Sequence, residues 1–487
     1  MTDKNTSSSK ILYPTVTVAI CLAFIVFRIL NFLNTENIVV WFDSAVYAAV
    51  SAESIWSPAF WLERQPPLYP LLFKMFVYTP GGQELVWKGL VNAVAFHPEI
   101  IKGLKIADDP PFLFVVTYFD VISLAILQSI ISIFAWIMFS LSFGRLFSDR
   151  RIRILAILLV LILGSETGMT LWDKHILTES ISISLSLVLL ALLFHYKNVM
   201  ESMPFFVLFL LTLALFSFVR ITNNYFLLLL VPFIAVQEWQ FRHKYAVKSA
   251  VIFSVLLSLI IFNQYAVFKG NRAEAPLKSL VSSRISTEGF EDIYRYFRDS
   301  GMPEIPDSFR GKYWYAPYKD YPEIEQWLAK APEVYQHYLL THPAYFLFQP
   351  FKTTNSLNIP VYSILTPDLA FHEITEKRNL AFIFTDVFLG GAFIALIILA
   401  LMNARLVNTV KNELLLPLYL LPASLAMLMV IWHGDLVEIN RHAIQFAIIL
   451  RIGLISALLV LVDRIILNPG RERGNTATCG DRLINHS

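Results

Sequence analysis

Charge is scarce in this sequence. Only 16% of its 487 residues are Asp, Glu, Lys or Arg, against about 25% in a soluble globular chain. With 56% hydrophobic residues and a mean hydropathy of +0.58, the shortage excludes a soluble globule and indicates an all-α polytopic membrane protein. The net charge of +2 supplies no basic field, which excludes a nucleic-acid partner. Cysteine is nearly absent. Cys21 lies in the first apolar run and Cys479 in a polar tail, too far apart in membrane depth to bridge, which excludes a disulfide framework and redox chemistry. No internal repeat is visible, and the only low-complexity stretch is the Ser/Thr-rich N-terminal decapeptide. No small-residue cleavage site follows the first apolar run, so that run is expected to be an uncleaved span and not a signal peptide.

Apolar runs are what the chain has in plenty. A crossing helix needs about 20 such residues, and ten ranges qualify: 12–33, 119–143, 153–170, 176–194, 204–219, 222–237, 248–268, 380–402, 414–431 and 442–463. Orientation follows from Lys and Arg in the short loops. One side collects Lys4, Lys10, Arg145, Arg150, Arg151, Arg153, Lys197, Arg242, Lys244, Lys248, Arg405, Lys411 and the tail arginines; the other has only Lys174, Arg220 and Arg441. Both termini are therefore expected in the cytoplasm. The organisation predicted is an N-terminal transmembrane module (1–268) holding a long first outer loop (34–118), an outer loop domain (269–379), C-terminal transmembrane helices (380–463) and a cytoplasmic tail (464–487). The outer loop domain is dense in charge and aromatics, enough to bury a small α-rich core of its own. Its tyrosines serve packing and interfacial anchoring, with sugar stacking as the second reading for one or two.

Ionisable groups in or beside a membrane are costly and call for a reason. Asp43, Arg64, Asp173, His175, Glu179, Arg220, Asp386, Glu438, Arg441 and His442 all map to outer span ends or outer loops, whereas span centres hold little charge beyond Arg451 and the shallower Arg28. Asp43, Tyr47 and Val50 recur at helical spacing, so residues 43–56 predict a short surface helix, with Asp43 also suited to cap it. In "RQPPLYP", Pro66 and Pro67 fix an extended elbow and Pro70 can start a second surface helix. That stiff corner would hold Arg64 and Tyr69 beside Asp43. In "DKHILTE", His175 and Glu179 would share one helical face, with Asp173 just before. The three could hold Zn²⁺ or Mg²⁺, although a plain interfacial cap requires less.

The acidic residue after the first span, the tyrosine four on and "PPLYPLL" together resemble the first outer loop of the GT-C superfamily of membrane glycosyltransferases, which includes protein O-mannosyltransferases and aminoarabinose transferases. "LTES" (177–180), "RITNNYFLLLLVP" (220–232), "YLLTHPAYFLFQPFK" (338–352) and "EINRHAIQF" (438–446) extend the likeness in order over most of the chain. Many members carry Asp-Glu where this chain has Asp43-Ser44, so a second acidic group is missing there. The resemblance implies an enzyme that moves a sugar from a polyprenyl-phosphate donor to a hydroxyl of an envelope lipid, polysaccharide or protein at the non-cytoplasmic face of the membrane; a bacterial inner membrane is expected, and an endoplasmic reticulum enzyme facing the lumen would have the same topology. Asp43 is then the base. Arg220 and Arg441 are first candidates for the departing phosphate, and Lys352 and Arg64 second; Tyr69, Glu179 and His442 complete the expected substrate site. For the arginines the plainer role is snorkelling to headgroups. In-line displacement by the acceptor would invert the anomeric centre, since retention needs a second carboxylate as nucleophile. The rival class is a lipid-linked oligosaccharide flippase or another transporter, which predicts midplane charge, broken helices and related halves.

Overall fold

The computed structural model describes residues 5–34, 42–62, 65–76, 118–147, 149–240, 244–270, 272, 276–277, 280–285, 290–305, 322–352, 362–363, 372–373, 415–434 and 439–462. Within them the fold is helical, apart from a two-residue antiparallel ladder of Tyr362–Ser363 with His372–Glu373. Among the described residues five helices are long and apolar enough to cross a membrane: Tyr13–Asn34, Ile122–Gly144, Ile221–Trp239, Ala246–Lys269 and His442–Val460. Thr178–Phe194, Met203–Val219 and Tyr419–Gly434 are shorter apolar helices. The chain is thus a helical, membrane-embedded protein. The expected span 380–402 lies outside the described residues.

The helices begin and end where the sequence has reasons for them to. The first, α1 (Asn5–Asn34), precedes α2 (Phe42–Ala52), α3 (Pro58–Leu62) and α4 (Leu68–Phe76). Pro70 does not open α4, as the sequence suggested. It occupies the third position of the first turn, where the missing N–H would have no intrahelical partner. The long α5 (Tyr118–Gly144) is followed by α6 (Arg150–Gly164), whose cap Asp149 accepts from the N–H groups of Arg151 and Ile152.

The expected span 153–170 is not continuous. After α6 ends at Gly164, a turn leads into α7 (Thr167–Trp172), and α8 (Thr178–Phe194) starts only after Leu177 in extended backbone. Gly164 closes α6 against the Trp136 indole, which leaves no room for a Cβ. A break within the bundle follows, lined by backbone carbonyls that need donors.

The remaining helices are α9 (Tyr196–Glu201), α10 (Met203–Val219), α11 (Ile221–Gln240) and α12 (Ala246–Lys269), then α13 (Glu291–Asp299), α14 (Pro322–Thr341), α15 (Pro343–Lys352), α16 (Leu415–Gly434) and α17 (Ile439–Leu461). α10 and α11 form a hairpin that breaks at Arg220 in extended backbone. The amide groups of Asn223 and Asn224 donate to Phe216 O at 2.7 Å and Ser217 O at 3.3 Å, supplying carbonyls that the end of α10 would otherwise leave bare. α17 is almost wholly buried, in contrast to the peripheral α1. It packs closely on α16, where Gly453 admits the Leu421 side chain.

One large apolar core joins α1, α2, α4 to α12, α16 and α17. A second, separate cluster comes from residues 280–338, where Phe297 stacks on Trp327 at 5.2 Å and Ile293, Ile324 and Tyr335 are buried around them. This cluster is pinned to the Gly434 end of α16 through Tyr335, whose hydroxyl lies 3.0 Å from His433 Nδ1, and through Arg284, which stacks 3.5 Å over the Trp432 ring.

Candidate functional site

Three helix ends converge at the end of the bundle that carries Asp43. Glu179 stands in the first turn of α8, Arg220 at the α10–α11 break and His442 in the first turn of α17. Arg220 Nη2 donates to His442 Nδ1 at 2.9 Å, which places the imidazole proton on Nε2. The same Nη2 lies 3.5 Å from Glu179 Oε1, longer than the 2.7–2.9 Å of a tight charge-assisted bond. Arg220 is 6% exposed, and its Nη1 finds no acceptor among the described residues. The guanidinium fork is therefore only half used.

A second polar layer lies three residues further along each helix. Ser182 Oγ sits 3.0 Å from Asn223 Oδ1 and 2.6 Å from Gln445 Oε1. A hydroxyl has one proton, so Ser182 donates to one amide and accepts from the other, turned to present its NH₂. Residues three apart share a helix face, so Ser182 and Gln445 lie on the faces of α8 and α17 that carry Glu179 and His442, and Asn223 stands in the first turn of α11 just after Arg220.

Asp43 reaches this region on α2. It is half-buried in the first turn, and its neighbour Ser44, fully buried, donates to Ile176 O at 2.6 Å. Tyr47 meets Tyr69 edge-on at 4.7 Å, which locks α2 to α4. Tyr69 is buried, and its hydroxyl donates to Gln128 Oε1 at 2.5 Å. Burial, with Tyr47 and Glu179 adding to it, pushes the phenol well above its ordinary pKa, so it stays a donor. The elbow between α3 and α4 is clasped from outside by Arg272, whose Nη2 donates to Trp61 O at 2.9 Å and Gln65 O at 3.0 Å. Burial lowers that guanidinium to about 10, still charged at neutral pH.

Beneath α2 and α4 lies the broken segment after α6. Gln128 Nε2 donates to Asp173 O and His175 O, both at 2.9 Å, so this amide ties α5, α4 and the break in one place. Arg28 donates to Gly164 O at 2.5 Å and Ser132 Oγ at 2.7 Å, and pairs directly with Asp173 Oδ2. Ser180 Oγ donates to Asp173 Oδ1 at 2.7 Å. Arg28 and Asp173 are 0% and 1% exposed. Gly164 stands about 21 Å of helix rise above Arg150, and Arg28 about 22 Å above Tyr13, inside a hydrocarbon layer of about 30 Å. The broken helix thus seals Asp173 inside the bundle against α1, at the level of Arg28.

The metal expectation fails on the same ground. His175 and Glu179 do not share a helical face, because extended Leu177 separates them. His175 Nδ1 bonds Leu171 O at 2.7 Å, and Asp173 is taken by Arg28 and Ser180. Among the described residues no three His, Cys, Asp or Glu groups converge. Arg64 lies outside the described residues, and so do the side chains of Lys352, at the end of α15, and Arg441, in the first turn of α17.

Sequence reasoning missed Ser44, Gln128, Arg272 and the Arg28–Asp173 pairing. Gln128, a lone amide in an apolar run, carried a usable signal, since intramembrane polar groups demand partners. No protein-family model and no curated protein matches the chain.

Proposed function

We propose that the chain is an inverting membrane glycosyltransferase that moves a sugar from a polyprenyl-phosphate donor to a hydroxyl of an envelope lipid, polysaccharide or protein. In this reading ten spans cross a bacterial inner membrane, with both termini cytoplasmic and the Asp43 end of the bundle outside. One observation carries it: the Ser44–Ile176 hydrogen bond of 2.6 Å seats the Asp43 helix three residues before Glu179, which with His442 holds a buried arginine having donors to spare. A carboxylate and a partly engaged guanidinium at the same end of the bundle suit a hydroxyl acceptor and a lipid phosphate.

The chemistry balances with these groups. Asp43 takes the proton of the acceptor hydroxyl as its oxygen attacks the anomeric carbon from the face opposite the phosphate. The bond from that carbon to the phosphate oxygen breaks, and its electron pair leaves with polyprenyl phosphate. The departing phosphate gains one negative charge, which Arg220 meets by turning its fork from the loose Glu179 contact to phosphate oxygens. Arg441, one residue before His442, is the second cation proposed for the phosphate.

A carrier of lipid-linked sugars is the second reading, favoured by the break between α6 and α8 and the Arg28–Asp173 pair at depth. That pair is sealed from solvent, and its Asp173 carboxylate is bound by both Arg28 and Ser180, as in a structural tie. Membranes containing the chain, given labelled polyprenyl-phosphate sugar and envelope acceptors, separate the two readings. A transferase forms labelled product, and Asp43→Asn lowers the rate by about 10²–10⁴-fold while donor still binds. Product formation unchanged by Asp43→Asn removes the base. Donor translocation without any product sinks the transferase reading.

A further inference from the structure

α14 and α15 run almost without interruption into one another, since His342 N–H bonds Tyr338 O at 2.9 Å and Phe346 N–H bonds His342 O at 3.1 Å. Along this stretch the exposed apolar side chains are Leu340 at 81%, Leu347 at 46% and Phe348 at 60%, with Pro343 and Ala344 also exposed. Positions 340, 343, 344, 347 and 348 form a single apolar stripe at helical spacing. The opposite face is occupied: Phe346 stacks on His433 at 5.0 Å and gives its carbonyl to His433 Nε2 at 2.9 Å, while Tyr345 packs edge-on to Trp432 at 6.0 Å.

The partner of that inner face decides what meets the outer one. His433 and Trp432 lie in the last turn of α16, an apolar helix buried against α17. The stripe is therefore held at the height where α16 leaves the hydrocarbon. One turn before, on α16 itself, Val430 is also an exposed apolar side chain, at 41%. Residues 338–350 contain no Asp, Glu, Lys or Arg, so the stripe lacks the charged rim of a protein interface.

We infer that α15 is an interfacial helix whose Leu340–Phe348 stripe is sunk into the acyl boundary of the leaflet at the Asp43 end, seating the 280–338 cluster on the lipid. The occupant is the bilayer that already surrounds α16, and burial of such a stripe is how amphipathic helices hold to a membrane surface. The inference rests on membrane embedding and not on the transferase reading.

The full chain, with Cys21→Ser and Cys479→Ser, is reconstituted in lipid nanodiscs and labelled with an environment-sensitive thiol fluorophore at Phe348→Cys or, separately, at Leu347→Cys. Ser300→Cys, exposed at the end of α13, reports the aqueous case. Both stripe positions are expected to lose most of their emission to lipids with a nitroxide high on the acyl chain and little to aqueous iodide, with Ser300→Cys showing the reverse. Iodide quenching at both stripe positions overturns the inference, because the stripe then faces water. Quenching by neither agent also overturns it, because a protein surface then covers the stripe.

Discussion

Removing Arg28 tests whether the deep ion pair holds the broken helix together. In Arg28→Met, Asp173 keeps the Ser180 hydroxyl but loses its only cationic partner among the described residues, and Gly164 O loses its donor. An ordinary interhelical hydrogen bond in a membrane is worth about 0.6 kcal/mol on average. A charge left unpaired at 1% exposure costs far more, about 3–5 kcal/mol, or roughly a thousandfold in the folding constant. Asp173→Asn leaves the guanidinium uncompensated and is expected to cost about as much. The double variant Arg28→Met with Asp173→Asn removes both charges, so its loss should fall short of the sum by about 2 kcal/mol or more. The assay is unfolding of the purified chain in mixed micelles as denaturing detergent is raised, followed by far-ultraviolet circular dichroism. Single variants within about 1 kcal/mol of wild type, with strictly additive effects, would show the pair to be no stronger than a neutral hydrogen bond.

The neighbouring contacts make sharper demands. Gln128→Leu keeps the volume but strands the Tyr69 hydroxyl, Asp173 O and His175 O. At about 1–3 kcal/mol for each stranded group, the detergent titration should show a loss of about 3 kcal/mol or more, and limited proteolysis should cut first between α3 and α4; wild-type stability would contradict this. Gly164→Ala would put a Cβ 2.6 Å from Trp136 Cδ2 of a buried, rigid indole, whereas Gly453→Ala meets the movable Leu421 Cδ2 at 2.9 Å. The first should cost about 1–3 kcal/mol and the second less; the opposite order in the same titration would show that the indole yields and the leucine does not.

The sequence revealed single helices and their ends but not how they meet. Asp43, Tyr47 and Val50 marked α2 because a surface helix writes its buried face at a spacing of three and four. Glu179, Arg220 and His442 were each legible as charges at span ends. Their meeting was not, since Arg220 and His442 are 222 residues apart and only packing selects the partner. Yet a pattern was present that single-residue reading overlooked. Glu179 and Ser182, Arg220 and Asn223, and His442 and Gln445 are three polar pairs at spacing three, one on each helix that meets here. The break at 165–177 was hidden for a different reason: "LGSETGMTLW" is apolar enough to pass as part of a span, and local geometry decides whether 153–170 continues or stops. The same break undid the His175–Glu179 pairing, because a rule of four residues apart holds only while the helix does.

That break also bears on which end of the molecule carries the chemistry. A carrier needs deep polar groups whose partners can be exchanged for cargo. Here Asp173 spends its carboxylate on Arg28 and Ser180 and its backbone carbonyl on Gln128, and Gln128 is itself bound to Tyr69. These links tie the floor to α1, α8, α5 and, through Gln128, α4, so releasing one would loosen the seat of the Asp43 helix. At the Asp43 end Arg220 makes only a loose 3.5 Å contact to Glu179, and its Nη1 has no acceptor among the described residues. A buried guanidinium nitrogen without an acceptor among the described residues is where an anionic ligand gains most, and Arg220 holds one at the end of the bundle that carries Asp43.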